Sequence, residues 1–165
     1  ENQIAIISNA GGPAVLCADA CAREGINLVK LSDSTIRKLE STGLMHPAYS
    51  RRNPLDLVGD ALPERYEAAI NILLEEPYIK GLIVIQTLQA MTDSEKDARI
   101  VVKASRRFRK KPILCVYMGG RFSRKSIKLL EENGLPDFND VAKAASAMKN
   151  LVYRNEFLKS PKKPK

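Results

Sequence analysis

Short apolar runs separated by amphipathic segments constrain the fold of this chain more than any other feature of its sequence. The runs IAIIS (4–8), GLIVIQT (81–87) and PILCVYM (112–118) are bounded by turn residues. Apolar runs of this length are typical of strands that are buried on both faces of a parallel sheet. The sequence therefore predicts three such strands, and a further strand over 27–31.

Apolar residues at helical spacing fill the segments between the predicted strands. Helices are predicted over 13–24 and 32–40, and in the segments around Tyr66, Val101, Ile127 and Val141. Alternating strands and helices require right-handed crossovers, which place helices on both faces of the sheet. We therefore predict an α/β fold: a flavodoxin-like, doubly wound parallel sheet of four to five strands in a three-layer αβα arrangement.

Three segments fall outside this alternation. Residues 41–61 show no periodicity and contain two prolines and two glycines, so we expect a long loop, and long ordered loops are usually functional. The stretch LPDF (135–138) is a candidate for a short edge strand. Because the last residues are rich in lysine and proline, we expect a folded domain over 1–157 and a basic disordered tail over 158–165.

Length and composition restrict the class of protein. At 165 residues the chain is long enough for one substantial core, and no stretch approaches the ~20 apolar residues that span a bilayer. Cys17 and Cys21 lie four residues apart on a predicted helix and are too few to bind zinc. We interpret Cys17, Cys21 and Cys115 as buried small apolar residues in a reducing compartment. A cytoplasmic protein with no metal site and no membrane partner is expected.

The net charge of +8 raises the question of nucleic-acid binding. Much of it lies in two clusters, namely Arg106, Arg107, Arg109, Lys110 and Lys111, and the terminal Lys159, Lys162, Lys163 and Lys165. Neither cluster is interleaved with the series of aromatic side chains that single-strand binders use. A solvated surface explains these charges better than a nucleic-acid partner, which is kept as the weaker alternative.

The stretch SNAGGP (8–13) is a candidate anion-binding site. Gly11 and Gly12 lead into a helix whose first N–H groups have no partner within the helix, and the helix dipole favours negative charge there. Pro13 suits the first helical turn. A tight strand-to-helix turn without a ligand explains the same spacing. The third glycine of a dinucleotide-binding fingerprint and the Gly-Lys-Ser/Thr of a P-loop are both missing.

Other unusual residues follow the remaining strands, in QTLQ (86–89), MGG (118–120) and the loop NPLDLVGDA (53–61). The carboxyl ends of parallel strands meet at one edge of a sheet, where ligands bind. No catalytic constellation accompanies these residues: His46 is the only histidine, and Gln86 and Thr87 stand where a phosphate-accepting aspartate would be needed. The sequence favours a binding platform over a complete active site.

Four stretches resemble, in order, the ADP-forming acetyl-CoA synthetases, which are acyl-CoA ligases related to succinyl-CoA synthetase. They are SNAGGPAVLCADACAREGINL (8–28), NPLDLVGDALPERYEAAI (53–70), LIVIQTLQAMTD (82–93) and KPILCVYMGG (111–120). The resemblance covers residues 3–153. It corresponds to the last flavodoxin-like domain of the synthetase chain, equivalent to the carboxy-terminal domain of the succinyl-CoA synthetase beta chain.

The resemblance implies a reaction and a site. Enzymes of this family convert an acyl-CoA, ADP and phosphate to the acid, CoA and ATP through a phosphohistidine, which is held between two helix N-termini of similar domains. It implies a phosphate-binding segment made of Asn9, Ala10, Gly11, Gly12, Pro13, Ala14 and Val15. Its matching residues at the same edge are Asn53, Pro54, Asp56, Thr87, Gln89, Gly119 and Gly120. No catalytic residue is expected within this domain.

Several departures from the family pattern limit what this chain does alone. Ala14 and Leu88 stand where the family usually has glycine and proline, and the Ser-His-Thr-Gly motif of the phosphohistidine is missing. We expect no activity and no bound cofactor from this domain alone. ATP or ADP, phosphate, CoA and Mg would act in a complete enzyme, with CoA-binding, phosphohistidine-bearing and ATP-grasp domains or subunits as partners. A non-catalytic regulatory or scaffold module, like the synthetase-like portion of some lysine acetyltransferases, is the alternative.

Overall fold

A computed structural model describes residues 3–159 as five parallel strands and six α-helices in alternation. The strands are β1 (Gln3–Ser8), β2 (Asn27–Leu28), β3 (Leu55–Asp56), β4 (Gly81–Thr87) and β5 (Ile113–Met118). The helices are α1 (Gly11–Arg23), α2 (Asp33–Ser41), α3 (Pro63–Glu75), α4 (Ser94–Arg107), α5 (Arg124–Glu132) and α6 (Val141–Lys159). A 3-10 turn over Gly120–Ser123 precedes α5. The α/β prediction is confirmed.

The sheet has the order β2-β1-β4-β5, and β3 also pairs with β1. Strand β4 pairs along one side of β1, so β2 and β3 share the other side. Strand β2 pairs with the beginning of β1 through Gln3 and Ile4, and β3 pairs with its end through Ile7 and Ser8. All these pairs are parallel, as the crossover helices require. The expected edge strand near 135–138 is present as one parallel bridge between Cys115 and Asp137.

Several predicted boundaries differ from the structure. The strand predicted over 27–31 is paired only at Asn27–Leu28, and the two-residue strand β3 lies inside the expected loop over 41–61. Helix α6 continues to Lys159, so Leu158 and Lys159 are helical rather than part of the expected tail. The rest of that tail, residues 160–165, lies outside the described residues.

The sheet separates two apolar layers, because successive strand residues point to opposite faces. On one face Ala5 and Ile7 of β1 pack with residues of α2 to α5, among them the fully buried Tyr66 of α3. On the other face Ile4 and Ile6 pack with α1 and α6. The buried cysteines at 17 and 21 lie in this second layer, and Cys115 lies in the first, which confirms that they are core residues.

The helix starts differ in how their free N–H groups are satisfied. Ser32 accepts a hydrogen bond from the Thr35 amide at the start of α2, and Asp93 accepts one from the Lys96 amide at the start of α4. Helix α1 begins without a side-chain cap and without an acidic residue in its first turn. In residues 3–159, no helix is long and apolar enough to cross a membrane.

Candidate functional site

The start of α1 presents two backbone amides that have no partner among the described residues. The helix begins at Gly11, two residues before the predicted start, with Ala10 as its extended N-cap residue. Ser8 fixes the turn, because its Oγ accepts from the Ala10 amide at 3.0 Å. The Ala14 amide already donates to the Ala10 carbonyl at 3.3 Å, and Pro13 has no N–H. Only the Gly11 and Gly12 amides of the first turn are therefore available to an anion.

Asn9 joins the ends of β1 and β4. Its Oδ1 accepts from the Thr87 amide at 2.8 Å and from Thr87 Oγ1 at 3.0 Å, and its Nδ2 donates to the Thr87 carbonyl at 2.8 Å. The Asn9 side chain is buried. These bonds hold the turn before α1 against the end of β4. Asn9 thus fixes the position of the Gly11 and Gly12 amides.

The segment after β4 lies over the same edge. Gln89 Nε2 donates to Thr87 Oγ1 at 2.9 Å, and the Gln89 side chain lies against Gly59 of the long loop. Thr92 Oγ1 accepts from the Gln89 amide at 3.0 Å. The segment after β4 and the long loop therefore meet around Thr87 and Gln89, at the sheet edge where the sequence predicts it.

Asp56 places a carboxylate beside the start of α1. A Cβ added to Gly11 would lie 3.1 Å from Asp56 Oδ2, while Asp56 Oδ1 accepts from the Val58 amide at 2.9 Å. Val58 itself has a φ of +71°, which is strained for a β-branched residue. A negative charge at this position stabilises the positive end of the helix dipole.

Gly119 and Gly120 form the neighbouring corner after β5. A Cβ on Gly119 would overlap Ser123 Oγ and the side chain of Leu88, so only glycine fits there. Gly120 has a φ of +54°, in the left-handed region that favours glycine. Leu88 therefore fills the space above Gly119, at the position where the resembled family has proline.

Asn53 and Pro54 do not join the predicted site. Asn53 accepts from the Ile6 amide at 2.9 Å and donates to the carbonyls of Ile4 and Val29 at 2.8 and 2.9 Å. Its amide thus fills the gap between β2 and β3 along β1. The Pro54 carbonyl accepts from Ser50 Oγ at 3.0 Å, and the Asn53–Pro54 peptide is cis. Both residues shape the edge of the sheet.

A buried polar cluster lies beneath the strand ends. Gln86 Nε2 donates to Asp97 Oδ2 at 2.6 Å, and both side chains are at most 1% exposed. Burial raises the pKa of Asp97 to about 7, against the opposing effect of the bond from Gln86. Burial likewise raises the pKa of Tyr117, whose hydroxyl finds no partner in the described part of the chain. Gln86 thus points into the core, away from any ligand.

Ser8 and Thr92 also contribute to this site, and neither role is predicted from the sequence. Each is a short hydroxyl residue whose hydrogen bonds leave no local pattern. Exposed apolar side chains also surround the edge, namely Val15, Leu16, Met91, Met118 and Phe122. Among the described residues, no group of three or more potential ligands could hold a metal ion.

Comparison with known proteins places this geometry in a family. The model of the Ligase-CoA domain matches residues 4–157. Subunit alpha of ADP-forming acetate–CoA ligase II from Pyrococcus furiosus is 37% identical over 153 residues, which are 89% of this chain and 33% of that subunit. ADP-forming acetate–CoA ligase I from Archaeoglobus fulgidus is 36% identical over 90% of this chain and 20% of its own length. The chain thus spans a third or less of these two relatives.

Solved structures agree with the fold in detail. A Pyrococcus horikoshii protein superimposes with a TM-score of 0.90 and 32% identity, over 97% of this chain and 37% of its own. Acetyl-coenzyme A synthetase 1 of Candidatus Korarchaeum cryptofilum, solved with phosphate and ADP, superimposes with a TM-score of 0.86 and 25% identity, over 94% of this chain and 33% of its own. Because the family model covers nearly the whole chain, this chain belongs to the Ligase-CoA domain family.

Proposed function

We propose that this chain is a domain of an ADP-forming acyl-CoA synthetase, which ligates an acid to CoA at the expense of ATP through a phosphohistidine. The names of the relatives from Pyrococcus furiosus and Archaeoglobus fulgidus support the reaction class. The Korarchaeum relative in complex with phosphate and ADP supports both as ligands of the complete enzyme. The remaining partners are CoA-binding, phosphohistidine-bearing and ATP-grasp domains or subunits.

Within that enzyme, this domain contributes the start of α1 as one side of a phosphoryl-binding site. The single observation that carries this role is that the amides of Gly11 and Gly12, at an uncapped helix start, have no partner within residues 3–159. Backbone amides at the positive end of a helix dipole bind phosphoryl oxygens. The bonds between Asn9 and Thr87 hold these amides in place before the phosphoryl group arrives.

Ala14 and Leu88, the two residues that depart from the family pattern, leave the start of α1 accessible to a ligand. Ala14 is 2% exposed and faces the core, so its methyl group does not cover the amides. Leu88 packs over Gly119 rather than over Gly12, and a Cβ on Gly12 would meet nothing within 4 Å. Neither departure therefore favours the non-catalytic alternative.

The test is the Gly12→Asp variant in the full-length protein, assembled with its partner domains. The new carboxylate has room and places a negative charge where the phosphoryl group would bind. We expect phosphohistidine formation from labelled ATP and CoA-dependent turnover to fall by roughly 10–100-fold, since charge-assisted hydrogen bonds contribute about 1.5–3 kcal/mol each.

Gly12→Asn is the matched control, because it has the same shape without the charge and should keep most of the activity. Equal turnover in Gly12→Asp and the parent enzyme would refute the phosphoryl-binding role. Failure of the parent protein to form any phosphohistidine would instead support the regulatory or scaffold alternative.

A further inference from the structure

A groove of about 570 Å³ opens at the end of the sheet opposite the candidate site. Lys80 and Pro112, the residues directly before β4 and β5, lie on one side of it, and the second half of α6 forms the other. We call it the basic groove, and it is lined by Ile4, Lys80, Arg109, Lys110, Lys111, Pro112, Met148, Leu151, Val152, Asn155 and Lys159. The start of α1 lies at the other end of β1, so the two regions are separate.

Five of these residues are basic and none is acidic. In the described part of the chain, none of the five forms an ion pair. The hydrogen bonds of Lys111 and Lys80 go to neutral carbonyls: Lys111 Nζ donates to those of Leu74 and Glu76 at 2.6 and 2.7 Å, and Lys80 Nζ to that of Pro77 at 2.6 Å. Within residues 3–159 the groove therefore concentrates positive charge that no ion pair neutralises.

Lys80 and Lys111 are close enough to repel each other. Burial lowers the pKa of Lys111, and the charge of Lys80 lowers it further, while Glu76 offsets part of the effect. Arg109 uses its Nε for the Arg106 carbonyl at 3.3 Å and keeps the rest of its guanidinium available. An anion between these groups would relieve the repulsion, and a guanidinium matches the geometry of a phosphate.

The wall formed by α6 is apolar in its middle and polar towards its end, where Asn155 and Lys159 lie. Met148 is fully buried at the base, Leu151 is 43% exposed, and Val152 is partly exposed beside it. Volumes of roughly 300–1,000 Å³ with apolar walls and a few polar groups are typical of small-molecule sites. Residues 160–165 add three lysines and no acidic residue, so they contribute no negative charge.

We propose that the basic groove binds a small phosphorylated molecule with an apolar or aromatic body, the class to which nucleoside phosphates belong. The phosphate would lie between Lys110, Arg109 and Lys80, and the body against Leu151 and Val152. The proposal is independent of the function proposed above, because it concerns the opposite end of the sheet.

Methyl NMR of the 165-residue chain with labelled methionines can locate such binding. Met148 lines the groove, whereas Met91 and Met118 lie at the strand-end edge. Titration with ADP should shift the Met148 methyl signal saturably. Pyrophosphate should bind more weakly because it lacks the body, and adenosine should bind at least 10-fold more weakly because it lacks the charge.

Charge reversal then tests the residues. Lys110→Glu should weaken ADP binding at least 10-fold, whereas Lys125→Glu, the same change on the exposed surface of α5, should alter it less than 2-fold. Gly12→Asp should leave the Met148 titration unchanged. The proposal is overturned if Met148 does not respond, if only Met91 and Met118 shift, or if both charge reversals weaken binding equally. Tighter competition by a hexaglutamate peptide than by pyrophosphate would overturn it in favour of an acidic protein partner.

Discussion

Replacing Asp97 with asparagine tests whether a buried carboxyl group limits the stability of this fold near neutral pH. Asp97 lies on α4, is 1% exposed, and accepts one hydrogen bond from Gln86. Its other oxygen, Oδ1, finds no partner among residues 3–159. Because burial raises the pKa of Asp97 to about 7, the folded chain keeps a proton there that the unfolded chain releases near pH 3.8.

The sign and size of the effect follow from proton linkage. Between pH 4 and pH 7 the folded chain binds more protons than the unfolded chain, so the free energy of unfolding falls as the pH rises. The slope approaches about 1.4 kcal/mol per pH unit, which gives a loss of about 3 kcal/mol between pH 5 and pH 8. Asp97→Asn removes this contribution to the pH dependence. Between pH 5 and pH 8 the free energy of unfolding of the variant should therefore rise by about 3 kcal/mol relative to that of the parent chain.

Urea unfolding of both proteins at pH 5 and pH 8 measures this gain directly. Asp137, whose pKa burial raises to about 6, contributes in the same direction but is present in both proteins, so it cancels in the difference. Glu95→Gln, an exposed change on the same helix, is the control and should follow the parent chain at both pH values. Parallel pH dependence of the parent and Asp97→Asn would refute the reasoning.

Two further changes test the edges of the sheet. Asn53→Ala should lower the free energy of unfolding, measured in urea, by about 2–4 kcal/mol, because three backbone groups lose their partner. Asn139→Ala, an exposed change, is the control. A smaller effect for Asn53→Ala than for this control would contradict the prediction. Gly119→Ala should cost about 1–3 kcal/mol by overpacking, whereas Gly12→Ala, which has open space, should change stability by less than about 1 kcal/mol. Equal melting temperatures for Gly119→Ala and Gly12→Ala would contradict this prediction, because they would show that the residues around Gly119 move to make room for the methyl group.

The strands that could be predicted are those whose pattern is local. β1, β4 and β5 are buried on both faces, so each appears in the sequence as an uninterrupted apolar run. β2 and β3 are two residues each, and the amide of Asn53 completes the edge between them. Hydrogen bonds from residue 53 to residues 4 and 6 leave no periodic signal in the sequence, so β3 was predicted as loop.

The position of the candidate site was predictable, but the orientation of its side chains was not. Glycines and amides after parallel strands indicate one edge of the sheet, and the start of α1 lies there with two amides that have no partner within residues 3–159. Asn9 reaches Thr87, 78 residues away, and Gln86 reaches a buried carboxylate on α4. Both side-chain contacts depend on the order of the strands in the sheet. That order is a property of the assembled sheet and leaves no signal at either residue.

The carboxylate of Asp56 bears on how this helix start could be used. It lies against Gly11, so it stabilises the positive end of α1 and would also repel a phosphoryl group that approaches the two amides. Two hydrogen bonds opposed by one nearby negative charge make a weak site for a dianion. We therefore expect this domain to bind free phosphate poorly, and to act only where a second domain brings further donors to the same phosphoryl group. A complete site formed between two domains would release its ligand when they separate, so the binding of the phosphoryl group would depend on the contact between the domains.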